Sequence, residues 1–264
     1  MISILNSLLS RLNDYAGNYD TAIEYLIQSY KIYLNLGESI RCSIILSNIG
    51  EIYFDKGDYD QALEYYKRSF DTAEQSKKIG YQQKMGSSLW GIGNVYLYKG
   101  DLDTALDYIE RSLKIFEEID FKHGIDLSLN NIGLVYRKKG DNDKAVECLE
   151  KSLTIKKEIG VLADDLIWST TYLYLTYKHL GKDYDEKEIH KLIKDAENIE
   201  FDLNLQLYEL FEDTSYLETA YNQVQEKASA MDDGAKFLEL RIPKAIVEEW
   251  EKVNKALHLW GFFI

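Results

Sequence analysis

The chain has 264 residues, with 31 basic and 45 acidic side chains and a formal charge of −14 at pH 7. That balance repels nucleic acid and anionic membranes unless a local patch reverses the sign, so neither is an expected partner. One proline, two cysteines and no Ser/Gly-rich or low-complexity run exclude domains on flexible linkers and a disulfide framework, leaving one elongated domain.

The opening MISILNSLL lacks the basic start of a signal peptide, and Asn6 and Ser7 interrupt its apolar run. It reads as the start of an amphipathic helix whose core is worn, with Asn6 and Asn13 standing where later helices carry apolar residues. This suits either a polar end cap or a piece of a longer array. From Gly17 the chain repeats itself. Gly17, Gly57, Gly100, Gly140 and Gly181 are separated by 40, 43, 40 and 41 residues. Before the glycine stand LSNIGEIYFDKG (46–57), LWGIGNVYLYKG (89–100) and LNNIGLVYRKKG (129–140). After it stand NYDTAIEYL, DYDQALEYY, DLDTALDYI and DNDKAVECL.

The copy at 129–160 shows why this makes a helix pair. Leu129, Ile132, Gly133 and Tyr136 fall on one side of a helix turning about 100° per residue. Gly140 follows, where a left-handed residue stops a helix and another L-residue costs roughly 1–2 kcal/mol. Asp141 can accept from the free N–H groups opening a second helix, which buries Ala145, Leu149, Ser152 and Ile155. Small residues at Gly133 and Ala145 allow close approach. The alanine recurs as Ala22, Ala62 and Ala105, and the serine as Ser29, Ser69 and Ser112. Fixed periods of this length predict a solenoid, each unit covering its neighbour's apolar face.

Five units are expected, over 1–37, 38–80, 81–120, 121–160 and 161–199, the first and last degenerate. The extra residues of the second fall around Ser76–Met85. In the fifth, Tyr174 replaces the packing glycine and Lys182 the capping aspartate, while Ile189, Leu192, Ile193 and Ala196 keep an apolar stripe. Residues 200–264 read as a helical cap. Leu203, Leu207 and Leu210 mark a short helix, and Leu217, Ala220, Tyr221, Val224 and Ala228 a longer one ended by MDDG (231–234). Phe237 and Leu238 follow in a short segment, and Pro243 takes the first position of a last helix with Ile246, Trp250, Val253 and Leu257 on one side. ALHLWGFFI is apolar but far short of the ~20 residues that span a bilayer, and it is expected to be covered.

The pattern L-x-x-[IL]-G-x-x-Y-x-x-x-G-[DN]-x-D-x-A resembles the tetratricopeptide repeat over residues 1–198. Its unit of 40 or more residues exceeds the common one of about 34. In this it resembles the repeats of kinesin light chains and of prokaryotic regulators. The resemblance implies an all-α, right-handed superhelical α-solenoid of antiparallel helix pairs, and recognition of peptide segments or partner proteins.

Chemistry is scarce. GIGNVY (91–96) imitates a dinucleotide fingerprint without its third glycine or preceding strand, and lies in a predicted helix. Asp141 and Asp143 resemble a calcium loop, but Ala145 takes the third ligand position. Glu186 and His190, one turn apart among lysines, read as a solvated face; His123, His179 and His258 have no ligand-type neighbours. No metal, cofactor or nucleophile–base pair is expected, and the chain reads as non-enzymatic. Cys42 and Cys148, on helices of different repeats, read as reduced thiols in a cytoplasmic protein.

What remains is the face of each first helix opposite its core, which in this family lines the inner groove. Repeat 2 places Ile44, Ser47, Glu51, Phe54 and Asp55 there, flanked by Asn48. Repeat 3 places Ser87, Trp90, Asn94, Leu97 and Tyr98. Repeat 4 gives Leu127, Asn130, Leu134, Arg137 and Lys138, flanked by Asn131; repeat 5 gives Trp168, Thr171, Leu175, Lys178 and His179. Asparagine offers a donor and an acceptor to an extended peptide backbone, and aromatic groups on a wet face often anchor partners. Lys56, Lys99 and Lys139 recur before the glycine, where they complement the helix dipole and read as structural. Arg137, Lys138, Lys178 and His179 have no such counterparts and make the late groove basic, so an acidic stretch is expected in the partner there. The leading reading is a protein- or peptide-binding scaffold. Its rivals are a sensor or regulatory segment of a larger signalling protein, and self-association through the terminal repeats or the C-terminal tail.

Overall fold

A computed structural model describes residues 19–76, 81–196, 199–230, 238 and 241–259. Every regular element among them is an α-helix, and the chain is an all-α solenoid. The expected helix over 1–16 with Gly17, the MDDG break, Phe237 and the last five residues lie outside the described residues. The chain divides into two compact units, Met1–Ile155 and Lys156–Ile264.

The first unit holds α1 (Tyr19–Asn35), α2 (Ser39–Asp55), α3 (Tyr59–Ser76), α4 (Gln82–Lys99), α5 (Leu102–Glu118), α6 (Lys122–Lys139) and most of α7 (Asn142–Ile159). From α1 to α6 each helix packs on the next, while α2 also touches α4 and α4 touches α6. First helices thus lie beside first helices, as a solenoid requires. Gly57, Gly100 and Gly140 take φ of +76°, +83° and +82°. Behind Gly140 the N–H of Asp141 reaches the Tyr136 carbonyl at 2.9 Å, satisfying a carbonyl the helix leaves open. The capping aspartates act as expected: Asp58, Asp101 and Asp141 accept from the N–H groups of Gln61, Thr104 and Lys144 at 3.2–3.3 Å.

Each pair is closest at the glycine of its first helix. A Cβ on Gly133 would stand 2.7 Å from Leu149 Cγ, and one on Gly93 2.5 Å from Ile109 Cγ1. In repeat 2 the position of Ile109 and Leu149 is held by Tyr66, a larger group. Its ring is accommodated by two glycines, Gly50 on α2 and Gly91 on α4, whose Cβ atoms would come within 3.0 and 2.7 Å of it. Gly91, part of the apparent fingerprint GIGNVY, stands where repeats 2 and 4 have Asn48 and Asn131, so its absence of side chain is explained by packing. Phe116 is treated alike, between Gly86 and Gly124.

A buried polar column runs beside this core. Ser69 and Ser43 exchange side-chain and backbone hydrogen bonds at 2.9–3.0 Å; Ser112 Oγ donates to the Gly86 carbonyl and Ser152 Oγ to Asp126, at 2.8 and 2.7 Å. On the surface, Lys56 pairs with Asp20 at 2.6 Å, Lys99 with Asp60 at 3.0 Å, and Lys139 with Asp103. Besides complementing the helix dipole, these lysines bridge each repeat to the one before. Their exposure limits each pair to about 0–1 kcal/mol.

The second unit holds α8 (Ala163–Leu180), α9 (Glu186–Asp195), α10 (Phe201–Phe211), α11 (Thr214–Ala230) and α12 (Arg241–Leu259). α8 packs on α9 and α10, α10 on α11, and α11 on α12. Tyr174, in the packing-glycine position, is buried; its hydroxyl donates to Glu188 at 2.5 Å and its ring stacks on Tyr184 at 5.0 Å. Lys182 does not cap the next helix. Asp185 does so three residues later, accepting from the N–H groups of Lys187 and Glu188. α9 therefore starts late, and it also ends early, at Asp195, so that it has 10 residues against 17 or 18 for second helices of the first unit. Ile189 is fully buried, whereas Leu192 and Ile193 are half-buried and Ala196 falls past the helix end. Leu203, Leu207 and Leu210 are buried as expected. Leu217, Ala220, Val224, Ala228 and Ile246 form one cluster, against which Leu238, Trp250 and Val253 pack. Pro243 stands third in α12 rather than first, still within the turn whose N–H groups lack intrahelical acceptors.

Two outcomes follow from these contacts. Gly91→Ala should overfill the space beside Tyr66 and cost about 1–3 kcal/mol, less the ~0.5–1 kcal/mol that alanine gains over glycine in a helix. Combined with Tyr66→Leu, the cost should shrink by more than ~0.5 kcal/mol in a double-mutant cycle of urea unfolding; strict additivity would show that the ring does not press on α4. The second outcome concerns Asp202. Burial, then the nearby Glu200 carboxylate, push its carboxyl up to about 7 despite the N–H of Leu203 at 3.0 Å. A folded pKa above the unfolded value of 3.8 means stability is fully present below about pH 3.8 and is lost as pH rises towards 7. Asp202→Asn should therefore be more stable than the wild type at pH 8 and lose that advantage at pH 4, measured by thermal melting at both.

Candidate functional site

In the first unit the solvent sides of the first helices form parallel strips. On α2 the strip is Ile44, Ser47, Asn48, Glu51 and Asp55; on α4 it is Ser87, Trp90, Asn94 and Tyr98; on α6 it is Leu127, Asn130, Leu134 and Lys138. Spacings of three and four residues keep each strip on one helix face, and the 40- and 43-residue periods put equivalent positions side by side. Side chains join the strips. Trp90 Nε1 donates to the Leu127 carbonyl at 3.4 Å, and Asn131 Nδ2 to Asn94 Oδ1 at 3.5 Å. Phe54 meets Tyr98 edge-on at 4.9 Å and Tyr59 at 5.7 Å.

Glu51, Asp55 and Lys138 are exposed; Ser47, Asn48, Trp90, Asn94, Tyr98, Asn130, Leu134 and Arg137 are half-buried. Asn131 is buried and meets the face through Asn94. Leu97, expected on the face, is instead in the core with Ile109, Ile132 and Val135. Its register, shared with Phe54 and Arg137, lies at the rim of the strip, where a short apolar side chain turns inward. Glu51 and Asp55 also act at a distance: after burial itself, their charges help hold the Tyr66 phenol well above its ordinary range.

The corresponding strip of the second unit is different. Trp168 is half-buried and packs on Tyr172 at 5.8 Å. Thr171, a groove position by its register, is instead fully buried, and its Oγ1 donates to the Ile167 carbonyl one turn back. Leu175 is buried as well. Lys178 Nζ donates to the carbonyls of Glu209 and Leu210 at 3.0 and 2.9 Å and pairs with Glu212 at 2.8 Å, so it caps the C-terminus of α10. His179 Nδ1 lies 2.6 Å from the Leu175 carbonyl of its own helix, with the ring exposed. Lys178 is thus engaged by the fold, through a helix that lies beyond the periodic part of the chain.

Other candidate chemistry does not assemble. His190 stacks on Phe211 with ring centroids 4.8 Å apart, and among the described residues no group of three or more His, Cys, Asp or Glu side chains could hold a metal ion. Cys42 is buried and Cys148 half-buried; burial pushes both thiols up, away from reactivity at neutral pH. No helix among the described residues is long and apolar enough to cross a membrane.

The helix pairs, the left-handed glycines and the packing-glycine contacts repeat together, and the tetratricopeptide repeat model matches residues 2–75 and 84–158. The chain belongs to the tetratricopeptide repeat family. No curated protein matches the sequence. Among solved structures, this tetratricopeptide repeat chain is similar to the putative kinesin light chain repeats of Podosopora anserina, at 16% identity over 81% of this chain and 99% of that one, TM-score 0.52. It is similar to the apo form of RapI at 13% identity over 96% and 100%, TM-score 0.67. It is also similar to a Rap protein complexed with Competence and Sporulation Factor at 17% identity over 97% and 64%, TM-score 0.58. These likenesses concern the fold.

Lys178 separates a structural role from a binding one. Lys178→Met should lower stability by about 1–2 kcal/mol, because three acceptors at the end of α10 lose a charged donor. A melting temperature unchanged by this substitution would mean that the cap contributes nothing and that the amine is available to other partners.

Proposed function

We propose that the chain is a non-enzymatic scaffold that holds a protein or peptide segment across α2, α4 and α6. The observation that carries this reading is the strip on α4. Trp90 and Tyr98 are large aromatic groups left half-exposed on a strip whose other positions are Ser87 and Asn94, the composition of a binding surface with anchors. Asn94 and Asn48 offer paired donors and acceptors to an extended backbone. Arg137 and Lys138 on α6 suit an acidic stretch of the segment. The Rap protein complexed with Competence and Sporulation Factor is a solved case of this fold with a bound factor, and supports the reading by likeness of fold alone. Thiols shielded by burial fit a reducing cytoplasm.

The test is selection from a displayed library of random peptides against the whole chain. Selected peptides should lose affinity by about tenfold or more, ~1.4 kcal/mol, on Trp90→Ala and again on Arg137→Glu with Lys138→Glu. Lys151→Glu on α7, exposed and paired with Glu147 of its own helix, is the control and should bind as the wild type does. Peptides that ignore the first two changes and fail on the third would place the working surface on the second helices.

A further inference from the structure

We propose that the face on α4 and α6 takes the segment 260–264 (WGFFI) of a second copy of this chain, the two copies exchanging segments so that each fills the other's face. This rests on α4 and α6 carrying the binding face, and it names the segment held there. Residues that build the array recur with it. Lys56, Lys99 and Lys139 pair back to aspartates of the preceding repeat, and Tyr53 and Tyr96 stack on Tyr65 and Tyr108 at 5.4 and 5.8 Å. Trp90 does not recur. Its register holds Ser47 on α2 and Asn130 on α6, both much smaller. Its indole N–H reaches the Leu127 carbonyl at 3.4 Å, so the ring extends from α4 towards α6 and stays half-exposed there.

The surroundings of that ring are uncharged. Ser87 and Asn94 lie one turn either side of it on α4, and Leu127 and Leu134 stand on the adjoining strip of α6, all half-buried. Two chains of charge −14 repel, so they meet most readily where neither presents acidic groups. Residues 256–264 match this: they hold no Asp, Glu, Lys or Arg, in a chain where 29% of residues are charged. Three aromatic residues and an isoleucine fall within 260–264, apolar area that folding or association has to cover. The described part of the second unit offers little room for them, since the core cluster of α11 and α12 is at most 9% exposed and already overlaid by Leu238, Trp250 and Val253. The exposed large hydrophobic residues among those described, Leu34, Leu36, Ile159 and Leu162, are aliphatic and stand at helix ends. The aromatic strip of α4 is the better match.

Size agrees with an exchange. A buried aromatic side chain covers about 150–250 Å², so three supply roughly 450–750 Å² on one side of each contact. A reciprocal exchange makes the contact twice, and with the opposing faces included it reaches the ~1,200–2,000 Å² of a stable interface. Five extended residues at ~3.3 Å each reach about 16 Å, enough to cross two helices packed ~8–10 Å apart.

Sedimentation velocity of the whole chain over a range of concentrations tests this. A dimer should form, and it should tighten as salt rises, because screening weakens the repulsion of two acidic chains while the contact itself is apolar. Deletion of residues 260–264, Phe262→Glu with Phe263→Glu, and Trp90→Ala should each weaken it at least tenfold, ~1.4 kcal/mol, with melting temperatures showing that each variant is folded. Leu134→Glu, on the same face, replaces Trp90→Ala if that variant does not fold. A mixture decides the direction of the contact. The deletion chain keeps its face and the Trp90→Ala chain keeps its segment, so together they should form a pair that neither forms alone. A whole chain that stays monomeric, a dimer that survives either change, or a mixture that forms no pair overturns the exchange. Library-selected peptides that bind the deletion chain and are lost on Trp90→Ala would then leave the face standing as a binding surface. Peptides that ignore Trp90→Ala overturn the face as well.

Discussion

The close approach of paired helices at Gly50, Gly93 and Gly133 is the constraint on which the first unit depends. With hydrogen at that position, the second helix can press Tyr66, Ile109 or Leu149 onto the backbone of the first. The fully buried Ala62, Ala105 and Ala145 then lie on the second helices of the same pairs, and the serines three positions beyond the bulky residue, Ser69, Ser112 and Ser152, fall within hydrogen-bond reach of the first helix. Larger side chains are admitted only where the neighbouring repeat supplies a second glycine, as Gly91 does for Tyr66 and Gly86 with Gly124 for Phe116. Packing is thus settled between repeats as well as within them, which is why a local change in one unit is expected to be felt in the next.

The fifth pair shows what replaces this contact. Tyr174 brings a ring and a hydroxyl to the place of a hydrogen. Burial pushes its phenol up, while its hydrogen bond and the Lys157 amine hold the Glu188 carboxyl below the ordinary carboxylate range. The late cap at Asp185 and the early end at Asp195 leave a short second helix, and α10 packs on α8 in the same unit. The same α10 supplies the carbonyls that Lys178 caps, so the loss of periodicity and the loss of a free basic position have one cause.

Much of this was legible in the residues. The glycine period predicted where helices end, the aspartate after it predicted the caps, and apolar spacing picked out Leu203, Leu207, Leu210 and the Leu217–Ala228 stripe in the non-periodic part. Each depends on local geometry that a single helix or turn determines. The misplaced residues depended on neighbours instead. Thr171 and Leu97 share registers with half-buried residues of other repeats, and periodicity cannot show which member of a register a neighbour covers. Lys178 faces the groove by its register, and it is engaged by α10, which has no counterpart in the repeats. The lysine–aspartate ladder was visible in principle, since both residues recur at fixed distances from the glycine, but only a three-dimensional register joins a lysine to an aspartate 36 or 39 positions earlier.

That contrast between recurring and changing positions separates building from binding in a repeat fold. Stacked units must present the same edges to one another, so glycines, capping aspartates, buried serines and ladder lysines are held constant by the neighbour on either side. Neighbouring strips touch through Trp90 at the Leu127 carbonyl, Asn131 at Asn94 and Phe54 at Tyr98, and the stacking still leaves Glu51, Asn94 and Leu134 able to differ. A face whose chemistry changes stepwise along a regular scaffold can address successive side chains of an extended segment separately, because each step is one helix spacing and each helix offers its own set of groups. The regularity of the core is therefore what allows the strip to vary from helix to helix.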